Sequence, residues 1–178
     1  MSYTIEEHKH RFSAWAAGRA ASVNNCRFSV DQAKEIIEVA GLNRLLVDPN
    51  SLPLPQDTDD RHREWRNNVI TAATRFGLIF THGVAAKLIN IYLKAGFVCG
   101  GYHAHGNVRS LHPPIDSVLL DELSAQNIGG RRRVWNEARR IRWSKFDSQQ
   151  YETVINNIRS SMPNQALWEV ERYWRGYQ

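Results

Sequence analysis

Residues 83–95 read GVAAKLINIYLKA. On a helix at roughly 100° per residue, Lys87, Asn90 and Lys94 fall within roughly 60° of one another. Every other position from Val84 to Lys94 is Val, Ala, Leu, Ile or Tyr, which leaves about five-sixths of the circumference apolar. A surface helix carries a much broader polar face. This helix is therefore expected to be nearly surrounded by protein, with a narrow polar stripe turned to a cleft or a partner. No part of the chain shows convincing β alternation, so the expected fold class is all-α.

Working outward, Gly77 to His82 is a short break, and Asp57 to Phe76 is a helix with acidic residues in its first turn. Pro49, Pro53 and Pro55 forbid a helix over 42–56, which reads as an ordered connector. Further back come a helix near 30–40, capped by Ser29 or Asp31 and ended by Gly41, and another over 4–22 carrying Phe12, Trp15 and Ala16. On the C-terminal side, Gly96 to Pro114 holds four glycines, two prolines and three histidines and is expected to be a long loop. Ile115 to Ala125 is an apolar helix, and Asn127 to Lys145 a basic stretch. Asp147 opens a helix to about Arg159, with Gln150 placed for a capping box. Pro163 suits the first turn of a last helix bearing Trp168 and Trp174. At 178 residues the chain is expected to form a single helical domain over 1–178, or two apposed lobes joined by the 42–56 connector.

The formal charge is +5 and arginine outnumbers lysine, which favours a polyanionic partner. Cys26 and Cys99 are the only cysteines, too few for a disulfide framework. Residues 1–10 are polar and carry no apolar signal core, and the apolar run of 84–93 is short for a bilayer. The expected compartment is the cytoplasm, on the nucleoid.

Desolvation of a lysine on the stripe would lower its pKa and make the amine nucleophilic near neutral pH; alternatively Lys87 and Lys94 snorkel along a groove. Downstream, His112-Pro113-Pro114-Ile115-Asp116 leads straight into the apolar helix, with Asp116 at or near its N-cap. Asp116 is either a structural cap worth about 1 kcal/mol or a carboxylate held rigidly toward the preceding loop.

A helix bearing a buried lysine, a glycine-rich loop, and a Pro114-Ile115-Asp116 turn opening an apolar helix together resemble the helix-hairpin-helix DNA glycosylases. The closest pattern is that of the archaeal-type 8-oxoguanine DNA glycosylases, over about residues 75–125. The resemblance implies an all-helical protein that flips a modified base from duplex DNA and cuts its glycosidic bond, with or without lyase activity, in repair or phage defence. It implies Lys87 as the nucleophile on the sugar C1′, with Lys94 as second choice, and Asp116 as the carboxylate supporting the cation. It implies no cofactor. The Leu-Pro-Gly-Val-Gly-type hairpin is replaced here by residues 76–83, FGLIFTHG, with two glycines at wider spacing.

A base pocket could draw on Asn90, Tyr92, Phe97, Tyr102, His103, His105 and His112, although helical proteins more often bury aromatics as core. Arg131, Arg132, Arg133, Arg139, Arg140, Arg142 and Lys145 put seven of the 23 basic residues into fifteen positions, a candidate phosphate surface or a solvated helix face. Cys99, His103, His105 and His112 could alternatively bind zinc, at a spacing matching no regular pattern. A second alternative is a non-enzymatic nucleic-acid-binding accessory protein of a bacterial defence or mobile-element system, needing the arginines but neither Lys87 nor Asp116.

Overall fold

The computed structural model describes residues 3–177, and among them the chain is helical without a β-strand; Val23 and Cys26 form one isolated bridge. Eight α-helices run α1 Ile5–Ala21, α2 Val30–Val39, α3 Thr58–Ala73, α4 His82–Leu93, α5 Gly106–Arg109, α6 Ser117–Ala125, α7 Arg132–Ile141 and α8 Ser148–Ser161. Short-range chemistry sets most of their ends. Ser29 with Gln32 and Asp147 with Gln150 form reciprocal capping boxes at the starts of α2 and α8. Gly41, at φ 77°, supplies the left-handed residue that stops α2.

The helices enclose two apolar cores. The first gathers α1, α2, α3 and most of α4 around Ala17, Ile36, Ile37, Val69, Leu88 and Tyr92. The second gathers α6, α7, α8 and the C-terminal turns around Leu119, Leu123, Trp135, Tyr151 and Ile155. Helix α4 serves both, because Ala86 packs in the second core while Val84, Ala85, Leu88 and Ile89 pack in the first.

Three expectations need correction. The 42–56 segment does not join the cores. It folds as short 3-10 turns whose Leu42, Leu46 and Leu52 lie inside the first core, and the chain crosses between cores at Leu111–Ile115. Residues 96–114 are not one open loop. Lys94–Tyr102 continues α4 in wider, π-type turns until Gly101 leaves helical geometry at φ 94°, and α5 follows. Pro163 opens no α-helix; the C-terminal turn is a 3-10 helix over Leu167–Tyr173, with Trp174 just past its end. α4 and its continuation span 21 helical residues, His82–Tyr102, and within them an 18-residue stretch of mean hydropathy 1.2 is 67% buried within the protein, so most of its apolar surface is taken up by the two cores.

Candidate functional site

Thr81 caps α4 by accepting from the Val84 amide, and its own hydroxyl donates to the Ser144 carbonyl at 2.8 Å. The Gly83 amide donates to the Phe146 carbonyl at 3.1 Å. A Cβ at Gly83 would lie 1.8 Å from the Trp143 carbonyl oxygen, so only glycine lets the 143–146 turn lie against the start of the helix. That approach sets the Trp143 ring 5.5 Å from Lys87 Nζ.

On the facing element, buried Pro113 and Pro114 lead into α6 in extended geometry, and Asp116 is its N-cap. Asp116 Oδ1 accepts the Leu119 amide at 2.9 Å, which leaves Oδ2 for two further donors. These are Lys87 Nζ at 2.9 Å and Trp174 Nε1 at 3.0 Å. Lys87 is only 5% exposed. Burial lowers its pKa, opposed by the Asp116 charge, so the amine releases its proton more readily than an ordinary lysine.

About two helical turns further along, at the C-cap of α4, Lys94 donates to Glu171, and its ammonium lies 6.0 Å from the Trp174 ring. Burial raises the Glu171 pKa. Lys87, Lys94, Asp116 and Glu171 thus form one partly sheltered cluster of alternating charge, edged by Trp143 and Trp174. Sequence reasoning reached Lys87, Lys94 and Asp116 but assigned nothing to Glu171 or to the indoles. The available signal was a carboxylate three residues before a tryptophan, Glu171 and Trp174, which a helical turn brings to one side.

The residues expected to line a single base pocket are distributed over separate places instead. Asn90 donates to the Pro113 carbonyl and the Tyr151 hydroxyl and accepts from His62 Nε2. His112 joins the same buried network, accepting from the Tyr151 hydroxyl and donating to Asp59, with its ring stacked 4.2 Å from His62. Burial holds both imidazoles below their ordinary pKa, so the His112–Asp59 contact joins a neutral N–H to a carboxylate. Tyr92 lies in the first core, where its hydroxyl donates to His10. Phe97 is fully buried there too. Tyr102 and His103 are exposed on the far side of the π-type turns, and His105 caps α5. With His112 in the buried network, Cys99, His103, His105 and His112 do not converge, and among the described residues no three His, Cys, Asp or Glu side chains gather as metal ligands.

The arginine stretch divides in two. Arg132 binds the carbonyls of Ser124 and Ala125, Arg131 donates to Asn157, Arg139 pairs with Asp121, and Arg140 with Glu137. Arg133, Arg142 and Lys145 are exposed and make no side-chain bond among the described residues. Arg142 also holds φ 73°, a conformation that few non-glycine residues adopt. A cavity of about 340 Å³ lies beside it, lined by Ser117, Asp121, Arg139, Arg142, Trp143 and Ser144 among others.

Compared with family models, with curated proteins and with solved structures, the chain returns no match.

Proposed function

We propose that this chain is a DNA glycosylase of the helix-hairpin-helix kind, with Lys87 as nucleophile and Asp116 as its partner carboxylate. One observation carries the reading: a lysine amine 5% exposed, 2.9 Å from an N-cap carboxylate and edged by two indoles. Burial favours the neutral amine that attack on carbon requires. Its lone pair forms the bond to C1′ as the glycosidic bond breaks, and the base departs with the pair of the broken bond and takes up the proton that the new ammonium releases through Asp116. The new ammonium passes a proton to Asp116, whose charge also supports the cationic sugar. Trp143 and Trp174 offer faces for an extruded base, and Lys94 with Glu171 offers a donor and an acceptor to read its edge. Arg133, Arg142 and Lys145 supply free cations for the flanking phosphates of cytoplasmic DNA.

The test incubates the protein with duplexes bearing 8-oxoguanine, uracil, alkylated bases and hypermodified phage cytosines, with borohydride in half the samples. Alkali-labile sites and a trapped adduct lost in Lys87→Gln are expected. Alkali-labile sites without trapping would leave Asp116 and water as the mechanism. Salt-sensitive binding with no product on any duplex would overturn excision and leave the accessory-protein reading, in which Lys87–Asp116 is a structural ion pair.

A further inference from the structure

Exposed cations lie on both sides of the turn between α3 and α4, Arg19 and Arg27 on one and the Arg142 and Lys145 of the proposed phosphate surface on the other. At the junction of α1 and α2 a polar cavity of about 740 Å³ is lined by Arg19, Ser22, Arg27, Phe28, Ser29 and Gln32 among others, with no carboxylate. Arg19 and Arg27 are exposed, and Arg27 donates only to the neutral Asn24 side chain. Two basic groups facing one cavity without an acid suit a ligand bearing negative charge.

The position of this cavity says which anion it suits. Its Phe28 packs on Phe80 of the α3–α4 turn, ring centres 4.9 Å apart, and the neighbouring Cys26 thiol reaches the Ile79 carbonyl at 3.7 Å. On the other flank of the same turn, Thr81 bonds the Ser144 carbonyl, and Ser144 stands between Arg142 and Lys145. Residues 79–81 span at most about 7 Å when extended, so the two elements that carry the cations touch the turn at neighbouring points. Between them Ile79 projects, 89% exposed. Duplex DNA carries one charge for about every 1.7 Å of its axis, so a single length of duplex offers phosphates to both groups.

We propose that Arg19 and Arg27 form a second phosphodiester-binding site, so that the protein holds duplex DNA on both flanks of the α3–α4 turn. The inference rests on the reading that the chain binds DNA, and not on its excising a base. The test is the salt dependence of binding to an unmodified 20-base-pair duplex, read by fluorescence anisotropy. Each phosphate contact contributes about 0.9 to the slope of log K against log salt, so Arg19→Gln/Arg27→Gln is expected to lower the slope by about one to two. Arg142→Gln/Lys145→Gln should do the same, and the quadruple variant should sum the two. All four residues are exposed, and unchanged thermal unfolding verifies that the variants fold. A full wild-type slope in Arg19→Gln/Arg27→Gln, alongside a reduced one in Arg142→Gln/Lys145→Gln, would overturn the second site and leave DNA binding standing. No salt-sensitive binding by the wild type would overturn both. Inorganic phosphate at constant ionic strength serves as the other arm. If it binds the wild type but not Arg19→Gln/Arg27→Gln, and leaves the duplex in place, the cavity takes a free phosphate and the two-flank footprint is wrong.

Discussion

Lys87 meets Asp116 at 2.9 Å across the seam between the two apolar cores, one residue from a helix of the first core and the other from the cap of α6 in the second. The pair is thus placed by tertiary packing and not by either element alone. Substitutions on the two sides of it should separate chemistry from folding.

At Asp116 the cap and the charge can be tested apart. Asparagine caps a helix about as well as aspartate, whereas alanine forfeits about 1 kcal/mol. Asp116→Asn should unfold within a few degrees of the wild type yet lose at least about a hundredfold in excision rate, on the scale of removing a charged group from a reacting centre. Thermal melts with single-turnover excision assays give the comparison; an active Asp116→Asn would confine the residue to capping.

Besides the face it offers a base, Trp174 holds Asp116 in place, since its indole N–H donates to the same carboxylate oxygen as Lys87. Trp174→Phe keeps an aromatic ring, though a smaller one, and removes the donor. The single-turnover rate should fall while duplex affinity holds, and the pH profile of that rate should move. A variant that weakens binding alone, with an unmoved profile, would limit Trp174 to stacking.

Stability should fall with acid. His62 and His112 are held below their ordinary pKa by burial, so the unfolded chain takes up protons near pH 6.5 that the native chain refuses. Their contribution is complete above that pH and declines below it, by up to about 1.4 kcal/mol per pH unit for each histidine. Asp59, and Glu152 at about 2, are depressed by their hydrogen-bond partners, His112 and Arg63 first among them, so their contribution is lost at lower pH, below about 4. Urea midpoints between pH 8 and pH 5 should show the first decline, flattened in His62→Gln.

The Asn90 side chain ties α3, α8 and the Pro113 carbonyl together at once. Asn90→Leu strands three buried polar partners and should cost about 2–4 kcal/mol, the sum of a few unmet hydrogen bonds. Gly83→Ala should cost about 1–3 kcal/mol through overpacking against the Trp143 carbonyl, and adduct trapping should fall with it as the indole is pushed from Lys87. Chemical denaturation measures both.

What the chain declares about itself is local. Asp147 with Gln150 and Asp116 at the head of α6 each resolve within four residues and were legible, and Ser29 was one of two caps open for α2, its pairing with Gln32 unread. The narrow stripe of Lys87, Asn90 and Lys94 likewise announced a buried helix with partners. Identifying those partners needs contacts 29, 61 and 77 residues away, to Asp116, Tyr151 and Glu171, and no periodicity reaches that far. The same distance explains why Asn90 and His112 resembled pocket residues; a polar side chain on an apolar helix reads alike whether it faces a ligand or a buried tyrosine. The glycines at 96, 100 and 101 suggested a loop because wide helical turns have no residue signature of their own.

A helix shared by two cores binds their fates together. Neither core can melt while the other keeps α4, because Ala86 and its neighbours face opposite sides of one cylinder. The chain should therefore lose its structure in one cooperative transition, with the α4 amides exchanging against deuterium only through global opening, and no half-folded lobe should accumulate along the way.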